Sequence, residues 1–219
     1  MKLLNTLLDL LYPPRCAFCH RLLRHSGDRV CADCLSHLPY TGDLAEHPKI
    51  SYIEKCVSPL FYEKSVRDSL HRFKFEQRTG YAGIYAGFMV KCIDENQISC
   101  DIISWTPVSM KRLHARGYDQ SELLAREVSA RTGIPCVRLL EKIKDTPPQS
   151  RTKNARQRQE NVKGAYRCCN LTAAKGRRVL LVDDIVTSGA TLRECARMLN
   201  DAGAAEIQAL TVARVRDII

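Results

Sequence analysis

Short apolar runs alternate along the chain with stretches in which apolar residues recur at helical spacing. The apolar runs predict strands at 101–106, 135–140, 179–182 and 207–213, and a shorter strand at 57–62. The helical spacing predicts helices at 66–73, 81–93 and 121–131, and a last helix that continues through Leu199. Because strands and helices alternate, we expect an α/β fold with a mainly parallel sheet flanked by helices.

The most informative run is 179–182, which is followed directly by Asp183 and Asp184. Four apolar residues are too few for a helix and predict a strand that is buried on both faces. Open α/β sheets bind their ligands at the carboxyl ends of strands, so the two acids lie where a ligand is expected. Small residues then lead into the next helix: Thr187, Ser188, Gly189, Ala190 and Thr191.

This loop of small residues predicts an anion site. Small side chains allow the backbone to approach a ligand closely, and the first N–H groups of a helix have no partners within it. Those donors and the positive end of the helix dipole favour a phosphate. The paired carboxylates suit ribose hydroxyls, and the whole run therefore predicts a sugar phosphate. Solvated acids at an ordinary strand end are the alternative, which the small residues directly after the acids disfavour.

A second strand end carries cations. Strand 101–106 is stopped by Pro107, and a basic loop with Lys111 and His114 then runs into the helix at 121–131. Backbone donors and cations at a strand end are what a pyrophosphate group needs. The candidate residues for this role are Val108, Ser109, Arg112 and Arg116. A solvated basic turn is the alternative, and the predicted place in the same sheet as the acid pair disfavours it.

Two Cys-x-x-Cys motifs lie near the N-terminus. They contain Cys16, Cys19, Cys31 and Cys34. Four thiolates can fill the corners of a tetrahedron, which predicts a closed structural Zn²⁺ site. The gap between the motifs is shorter than the usual spacing of about 15 to 20 residues. His20 and His25 are spare candidate ligands, and a pair of redox motifs is the alternative, although the βαβ context of such motifs is missing.

The stretch 141–167 is basic and polar, and it predicts a mobile flap or hairpin that buries no core. A loop that closes over a site excludes water and adds charge, and this composition suits that role. A nucleic-acid contact surface is the rival interpretation.

The composition indicates a positively charged protein, and the N-terminal stretch bears on the compartment in which we expect it. A length of 219 residues fits one medium α/β domain with a small appendage, and the formal net charge of +10 favours phosphates or nucleic acid as partners. The apolar stretch 1–11 predicts a short helix packed on its own domain, or else a membrane-surface or partner helix. It is too short to span a membrane and is a poor export signal. We therefore expect a cytoplasmic protein, in which 11 cysteines mean metal binding, catalysis or core packing rather than disulfides.

In this order of features the chain resembles the ComF-type phosphoribosyltransferase-like proteins. These join a cysteine-knuckle domain to a type I phosphoribosyltransferase domain, and some serve DNA uptake in bacterial competence. The resemblance is carried by the four cysteines, the run 116–125, the stretch 149–161 and the loop 183–191. One departure is Ser109-Met110, where relatives often have a Leu-His pair.

The resemblance implies a fold, ligands and roles. It implies a zinc ribbon at 1–48 and a type I phosphoribosyltransferase-like domain at 49–219. In such enzymes the acid pair, here Asp183 and Asp184, binds the ribose hydroxyls of phosphoribosyl pyrophosphate, and the small-residue loop holds its 5′-phosphate. Mg²⁺ accompanies this substrate. A homodimer is compatible with the resemblance.

Two hypotheses about function follow. The first is a phosphoribosyltransferase linked to DNA uptake or nucleotide salvage, in which a nucleophile displaces pyrophosphate from the anomeric carbon. The second is a non-catalytic module that contacts single-stranded DNA or a DNA-translocation partner such as a competence helicase. The sequence leaves the acceptor nucleophile open.

Overall fold

The computed structural model describes residues 13–24, 27–146 and 160–216. The predicted helix at 1–11 and the middle of the predicted flap lie outside the described residues. The described helices are α1 (Ala32–His37), α2 (Lys64–Phe75), α3 (Tyr81–Glu95), α4 (Met110–Arg116), α5 (Gln120–Thr132), α6 (Leu171–Ala174) and α7 (Ala190–Asp201). The strands are β1 (Cys56–Val57), β2 (Leu60–Phe61), β3 (Ile102–Trp105), β4 (Leu140–Lys142), β5 (Tyr166–Cys168), β6 (Arg178–Val186) and β7 (Glu206–Arg214).

Five strands form one parallel sheet in the order β1–β7–β6–β3, and β2 pairs with β7 further along that strand. β3 ends with Trp105 opposite Val182, whereas β6 continues to Val186. The sheet therefore opens on the β3 side of β6 just after Val182. Asp183 and Asp184 lie at this opening.

Helices cover both faces of the sheet. Since side chains alternate between the faces along each strand, successive residues of β6 pack into different cores. Leu180 and Val182 belong to a core that includes residues of α2, α3 and α5. Val179 and Leu181 belong to a second core with α7 and the β4–β5 hairpin. The predicted α/β fold with a mainly parallel sheet and flanking helices is confirmed.

One predicted strand is only partly present. Within 135–140, a single parallel bridge joins Cys136 to Ile103 of β3. The chain then leaves the sheet, and β4 pairs antiparallel with β5. Leu139 and Leu140 are fully buried in the core on the α7 side, so their burial in the hairpin explains the departure.

The basic loop is more ordered than the sequence pattern suggests, because it contains α4. Ser109 caps this helix by accepting a hydrogen bond at its Oγ from the N–H of Arg112 (3.4 Å). Gly117 ends the helix in the left-handed conformation. A serine followed eight residues later by glycine was the signal for a short helix.

The polar flap does bury core residues, contrary to the sequence-based expectation. Val162, Ala165 and Tyr166 are each at most 4% exposed. These three residues lie in a mostly polar stretch of the sequence, and their burial therefore depends on the tertiary fold. None of the described helices is both long enough and apolar enough to cross a bilayer.

Candidate functional site

The acid pair is held from the β3 side of the sheet. The hydroxyl of Ser121, in the first turn of α5, donates to Asp183 Oδ1 (2.9 Å). The backbone N–H of Asp184 donates to the same oxygen (2.8 Å). Burial, followed by the neighbouring charge of Asp184, raises the pKa of Asp183 well above its usual range. Asp183 is therefore a fixed carboxyl that is costly to ionise without a ligand.

Lys74 at the end of α2 pairs with the second acid. Its Nζ lies 2.7 Å from Asp184 Oδ2, and the two side chains are only 22% and 14% exposed. This cation offsets part of the repulsion between the adjacent acids. The sequence analysis did not assign Lys74 to the site, because a lysine between apolar helical positions looks like an ordinary solvent-facing charge.

The small-residue loop leads from the acids into α7. Gly189 has φ +67° and precedes the helix without a side chain that could cap it. The first N–H groups of α7 therefore point out of the helix with no intrahelical acceptor. The hydroxyl of Ser188 is buried and has no hydrogen-bond partner among the described residues. A buried hydroxyl beside an uncapped helix start fits an anion with several oxygen acceptors.

A segment upstream of β1 packs against this loop. Ile50 lies so close that a Cβ added to Gly189 would stand 2.8 Å from Ile50 Cδ1. His47 is buried and places its Nε2 3.5 Å from the carbonyl oxygen of Thr187. Both contacts connect residues far apart in sequence, and no local pattern could have predicted them.

The basic loop lies beside the acids, but some of its donors are already engaged. The backbone N–H of Val108 donates to Asp119 (2.9 Å), which also caps α5. The hydroxyl of Ser109 donates to Asp145 (2.7 Å). These two groups are thus committed to the local fold in this state.

The two arginines of the loop differ in their contacts. Arg112 donates to the carbonyl oxygen of Thr146 (2.6 Å). Arg116 donates to Gln120 (2.8 Å) and its guanidinium lies 4.9 Å from the ring centroid of Phe75. The charge of Asp184 acts on Arg116, whose pKa is lowered, chiefly by burial. Arg116 is therefore a loop cation that lies close enough to interact with Asp184.

The β4–β5 hairpin faces the same region. The side chain of Tyr166 hydrogen-bonds to Thr191 in the first turn of α7. Lys142, opposite Tyr166 in the hairpin, places its Nζ 5.1 Å from the centroid of that ring. Burial and then the charge of Arg112 lower the pKa of Lys142 to about 8. This lysine is a further cation near the acids that the sequence pattern did not identify.

The two described parts of the flap each contact a different element. Asp145 and Thr146 contact the basic loop, as given above. At the other end, the N–H of Gly164 donates to Glu194 of α7 (2.7 Å). The two anchors place the ends of this segment next to the basic loop and next to α7.

The four cysteines form one cluster. Their Sγ atoms all lie within 4.8 Å of one another, and the sulfurs of Cys19 and Cys31 are 3.7 Å apart. A tetrahedron with metal–sulfur bonds of about 2.3 Å has sulfur–sulfur edges of about 3.8 Å. The cluster therefore fits Zn²⁺ with four thiolates. Arg72 of α2 donates to the carbonyl oxygens of Ala17 and Phe18, within the first motif.

The raised pKa of Asp183 predicts a pH-dependent stability. Since the folded-state pKa lies above the unfolded value, the contribution of this group is fully present below the unfolded pKa of about 4 and is lost as pH rises through the folded pKa. Asp183→Asn should therefore raise the melting temperature at pH 8 by a few degrees and change it little at pH 4. Thermal unfolding at both pH values measures this.

The matched control is Asp94→Asn on α3, an exposed carboxylate without an ion pair in the described part of the chain. It makes the same change in charge and should shift the melting temperature equally little at both pH values. An Asp183→Asn variant that is less stable at pH 8 than the wild-type protein would contradict a costly buried carboxylate.

Two protein-family models match separate parts of the chain. A model of the phosphoribosyl transferase domain matches residues 119–217, and a model of the double zinc ribbon domain matches residues 7–45. The chain is 27% identical to Competence protein F of Haemophilus influenzae, over 91% of this chain and 96% of that protein. It is 28% identical to DNA utilization protein YhgH of Escherichia coli K12, over 91% and 89%. Adenine phosphoribosyltransferase from Thermoanaerobacter pseudethanolicus overlays with a TM-score of 0.37 and 14% identity, over 64% of this chain and 83% of that one.

Proposed function

We propose, since the chain belongs to the ComF-type phosphoribosyltransferase family with an N-terminal zinc ribbon, that it binds phosphoribosyl pyrophosphate at the carboxyl end of β6. The zinc ribbon is taken as residues 1–48 and the phosphoribosyltransferase-like domain as residues 49–219. A role linked to DNA uptake or DNA use accords with the names of the relatives.

The observation that carries this proposal is that a candidate site for ribose hydroxyls and a candidate site for phosphate are neighbours along the chain. The acid pair follows the buried run 179–182 of β6, and the loop into α7 comes soon after it, with the buried hydroxyl of Ser188 lacking a hydrogen-bond partner among the described residues. Carboxylates accept hydrogen bonds from ribose hydroxyls, while the loop N–H groups and hydroxyls donate to a phosphate. A pentose 5-phosphate carries both kinds of group on one small molecule. Thr187, Gly189, Ala190 and Thr191 complete the proposed phosphate loop.

The basic groups around the acids are the proposed pyrophosphate ligands. Arg116 and Lys142 already interact electrostatically with the acid pair, and Arg112 acts on Lys142. Val108 and Ser109 would have to release Asp119 and Asp145 before their donors could serve. Mg²⁺, which neutralises pyrophosphate charge when it is bound, would find its protein oxygen donors in Asp183 and Asp184.

As an enzyme, the protein would transfer the phosphoribosyl group. The bond from the anomeric carbon to pyrophosphate breaks, a bond to the acceptor nucleophile forms, and pyrophosphate leaves with the electron pair. The chain contributes position and charge to this step: the acids hold the ribose, and the cations stabilise the departing pyrophosphate. No side chain has to act as a covalent intermediate.

A second candidate function, binding of single-stranded nucleic acid, is favoured by Phe75. This ring is 57% exposed, and the His71 ring and the Arg116 guanidinium lie 4.7 and 4.9 Å from its centroid. An exposed aromatic ring beside a guanidinium and an imidazole is a surface on which a base can stack. In this case the acid pair would be unnecessary for binding.

Calorimetry distinguishes the two functions. We expect phosphoribosyl pyrophosphate with Mg²⁺ to bind, and ribose 5-phosphate to compete with it. 2-Deoxyribose 5-phosphate should compete less well, because it lacks one of the hydroxyls that the acids accept from. If an oligodeoxynucleotide binds and neither sugar phosphate does, the binding-module function replaces the transferase.

The four-cysteine cluster predicts one zinc per chain. Elemental analysis of protein purified without added metal should find it, and Cys16→Ser should lose it, because three thiolates leave one corner of the tetrahedron open. Cys169→Ser, at an exposed cysteine outside the cluster, is the matched control and should retain the metal. Metal-free protein with four freely titratable thiols would contradict the site.

A further inference from the structure

The last turn of α2 touches the cysteine cluster and the acid pair through residues two positions apart. Arg72 Nη2 donates to the carbonyl oxygens of Ala17 (2.9 Å) and Phe18 (2.8 Å), the two residues between Cys16 and Cys19. Lys74 Nζ lies 2.7 Å from Asp184 Oδ2. One helical turn therefore spans the distance between the predicted metal site and the predicted sugar-phosphate site.

The turn is fixed in the middle as well. The backbone carbonyl of Phe73 accepts a hydrogen bond from the hydroxyl of Tyr118, which lies between α4 and α5. The ring of Phe73 is fully buried and packs edge-on against Tyr85 of α3. A hydrogen bond to the backbone and a buried ring therefore hold Arg72 and Lys74 in one packed turn of helix.

The cysteine knuckle is also rigidly attached to this helix layer. Phe18 is 2% exposed, and its ring meets those of Tyr85 and Phe88 edge-on, at centroid distances of 6.2 and 6.0 Å. The knuckle backbone supplies both acceptors given for the Arg72 guanidinium, whose Nε is buried without a partner in the described part of the chain. The position of Arg72 thus depends on a knuckle conformation that four metal-bound thiolates would maintain.

We propose that Arg72 is a positioning residue that couples metal binding at the four cysteines to sugar-phosphate affinity at the acid pair. It acts through Lys74. With the knuckle in place, Lys74 offsets the repulsion between Asp183 and Asp184, so that the pair can be ionised and accept from ribose hydroxyls. When the knuckle loosens, Arg72 loses its acceptors, Lys74 moves away from Asp184, and the acids hold the sugar less well. This coupling rests on the proposed sugar-phosphate site.

The first test uses Arg72→Met, which keeps the aliphatic stem and removes the donors. The probe is ribose 5-phosphate, measured by calorimetry, with zinc counted by elemental analysis in the same sample. We expect the zinc to stay and the Kd to rise about tenfold, within the range of roughly 5- to 150-fold that is typical of coupled sites. Arg72→Lys keeps the charge and can still reach a carbonyl. Its Kd for ribose 5-phosphate should lie between those of the wild-type protein and Arg72→Met.

The matched control is Arg67→Met on the same helix. Arg67 is exposed, and among the described residues its side chain pairs with its neighbour Asp68, so its loss should leave both zinc content and Kd unchanged. Removing zinc from the wild-type protein with a chelator should weaken binding as Arg72→Met does. Removing it from Arg72→Met should add little, because the two changes break the same connection.

Coupling is reciprocal, and this gives a test that needs no variant at Arg72. Saturating ribose 5-phosphate should lower the Kd for zinc, measured by equilibrium competition with a chromogenic chelator, about tenfold in the wild-type protein, whereas inorganic phosphate at the same ionic strength should have less effect. A structural role for Arg72 alone predicts no such protection by the ligand.

The outcomes separate this proposal from the proposed function. If the wild-type protein binds ribose 5-phosphate and replacement of the acid pair abolishes binding, the site stands. In that case a wild-type Kd for ribose 5-phosphate in zinc-loaded Arg72→Met, or a zinc Kd that the ligand does not change, overturns the coupling alone. If wild-type protein does not bind ribose 5-phosphate at all, the proposed function and the coupling both fall.

Discussion

Replacing Asp183 and Asp184 together by asparagine should weaken the binding of ribose 5-phosphate on the order of a hundredfold. Each charge-assisted hydrogen bond to a ribose hydroxyl contributes roughly 1.5–3 kcal/mol, and asparagine offers a neutral acceptor in place of the charged one. Calorimetry on the folded variant measures the change. The sheet should remain intact, because the flanking residues Val182 and Val186 supply the buried packing of β6.

The matched control is Asp94→Asn combined with Asp201→Asn. It removes two exposed acids and changes the net charge by the same amount, but both positions lie outside the predicted site. Its affinity for ribose 5-phosphate should equal that of the wild-type protein. A double variant at the acid pair that binds ribose 5-phosphate and 2-deoxyribose 5-phosphate equally, at wild-type strength, would rule out a ribose clamp.

Thr191→Val tests the proposed phosphate loop and should reduce the affinity for ribose 5-phosphate less than the acid-pair change does. Its hydroxyl interacts with Tyr166, and the N–H groups at the start of α7 remain available to the phosphate in the variant. We expect a loss of a few-fold in affinity for ribose 5-phosphate by calorimetry. Thr172→Val, at an exposed position on α6, is the matched control and should have no effect.

The fold was predictable because local patterns determine it. Four apolar residues at 179–182 are buried on both faces in β6, and the acids after them lie where β3 has ended. The glycine before α7 and the small residues around it likewise signalled a turn with a close backbone approach. Such features depend on a few neighbouring residues, and their physical cause is present in the sequence.

The partners of the acid pair depend instead on long-range packing. Lys74 reaches the site from an upstream helix, and Lys142 reaches it from the hairpin. In the sequence alone both look like ordinary charged residues. Their role appears only when α2 and β4 have been placed beside β6. The same limit applies to Arg72, whose acceptors are backbone carbonyls and so have no sequence signature.

The connection between the knuckle and the fold explains why the cysteine segment should matter beyond its own stability. Cys16, Ala17 and Phe18 are part of the same core as α2 and α3. A small segment whose apolar residues pack in the core of a larger domain is stabilised by that packing. Loosening of the segment disturbs the larger domain in turn. In this chain the disturbed element, α2, ends at the acid pair.

Gly189→Ala should abolish sugar-phosphate binding and lower the stability of the protein. The residue has φ +67°, which costs an alanine about 1–2 kcal/mol, and the new Cβ would stand 2.8 Å from Ile50 Cδ1. Either Ile50 or the loop must move, and a shift of the loop misaligns the N–H groups that are proposed to hold the phosphate. Thermal unfolding and calorimetry with ribose 5-phosphate measure the two effects.

The matched control is Gly133→Ala at the end of α5. Gly133 has φ +76° and no atom within 4 Å of an added Cβ, so the variant has the same backbone strain without the clash. It should lose about 1–2 kcal/mol of stability and keep its affinity for the ligand.

Ile50→Val combined with Gly189→Ala removes the closest methyl group and should recover part of the stability. Because Ile50 Cγ1 stands 3.1 Å from the added Cβ and its counterpart would remain in valine, recovery should be incomplete. If Gly189→Ala binds ribose 5-phosphate as tightly as Gly133→Ala does, the close approach of Ile50 does not set the shape of the loop, and the phosphate grip must lie elsewhere.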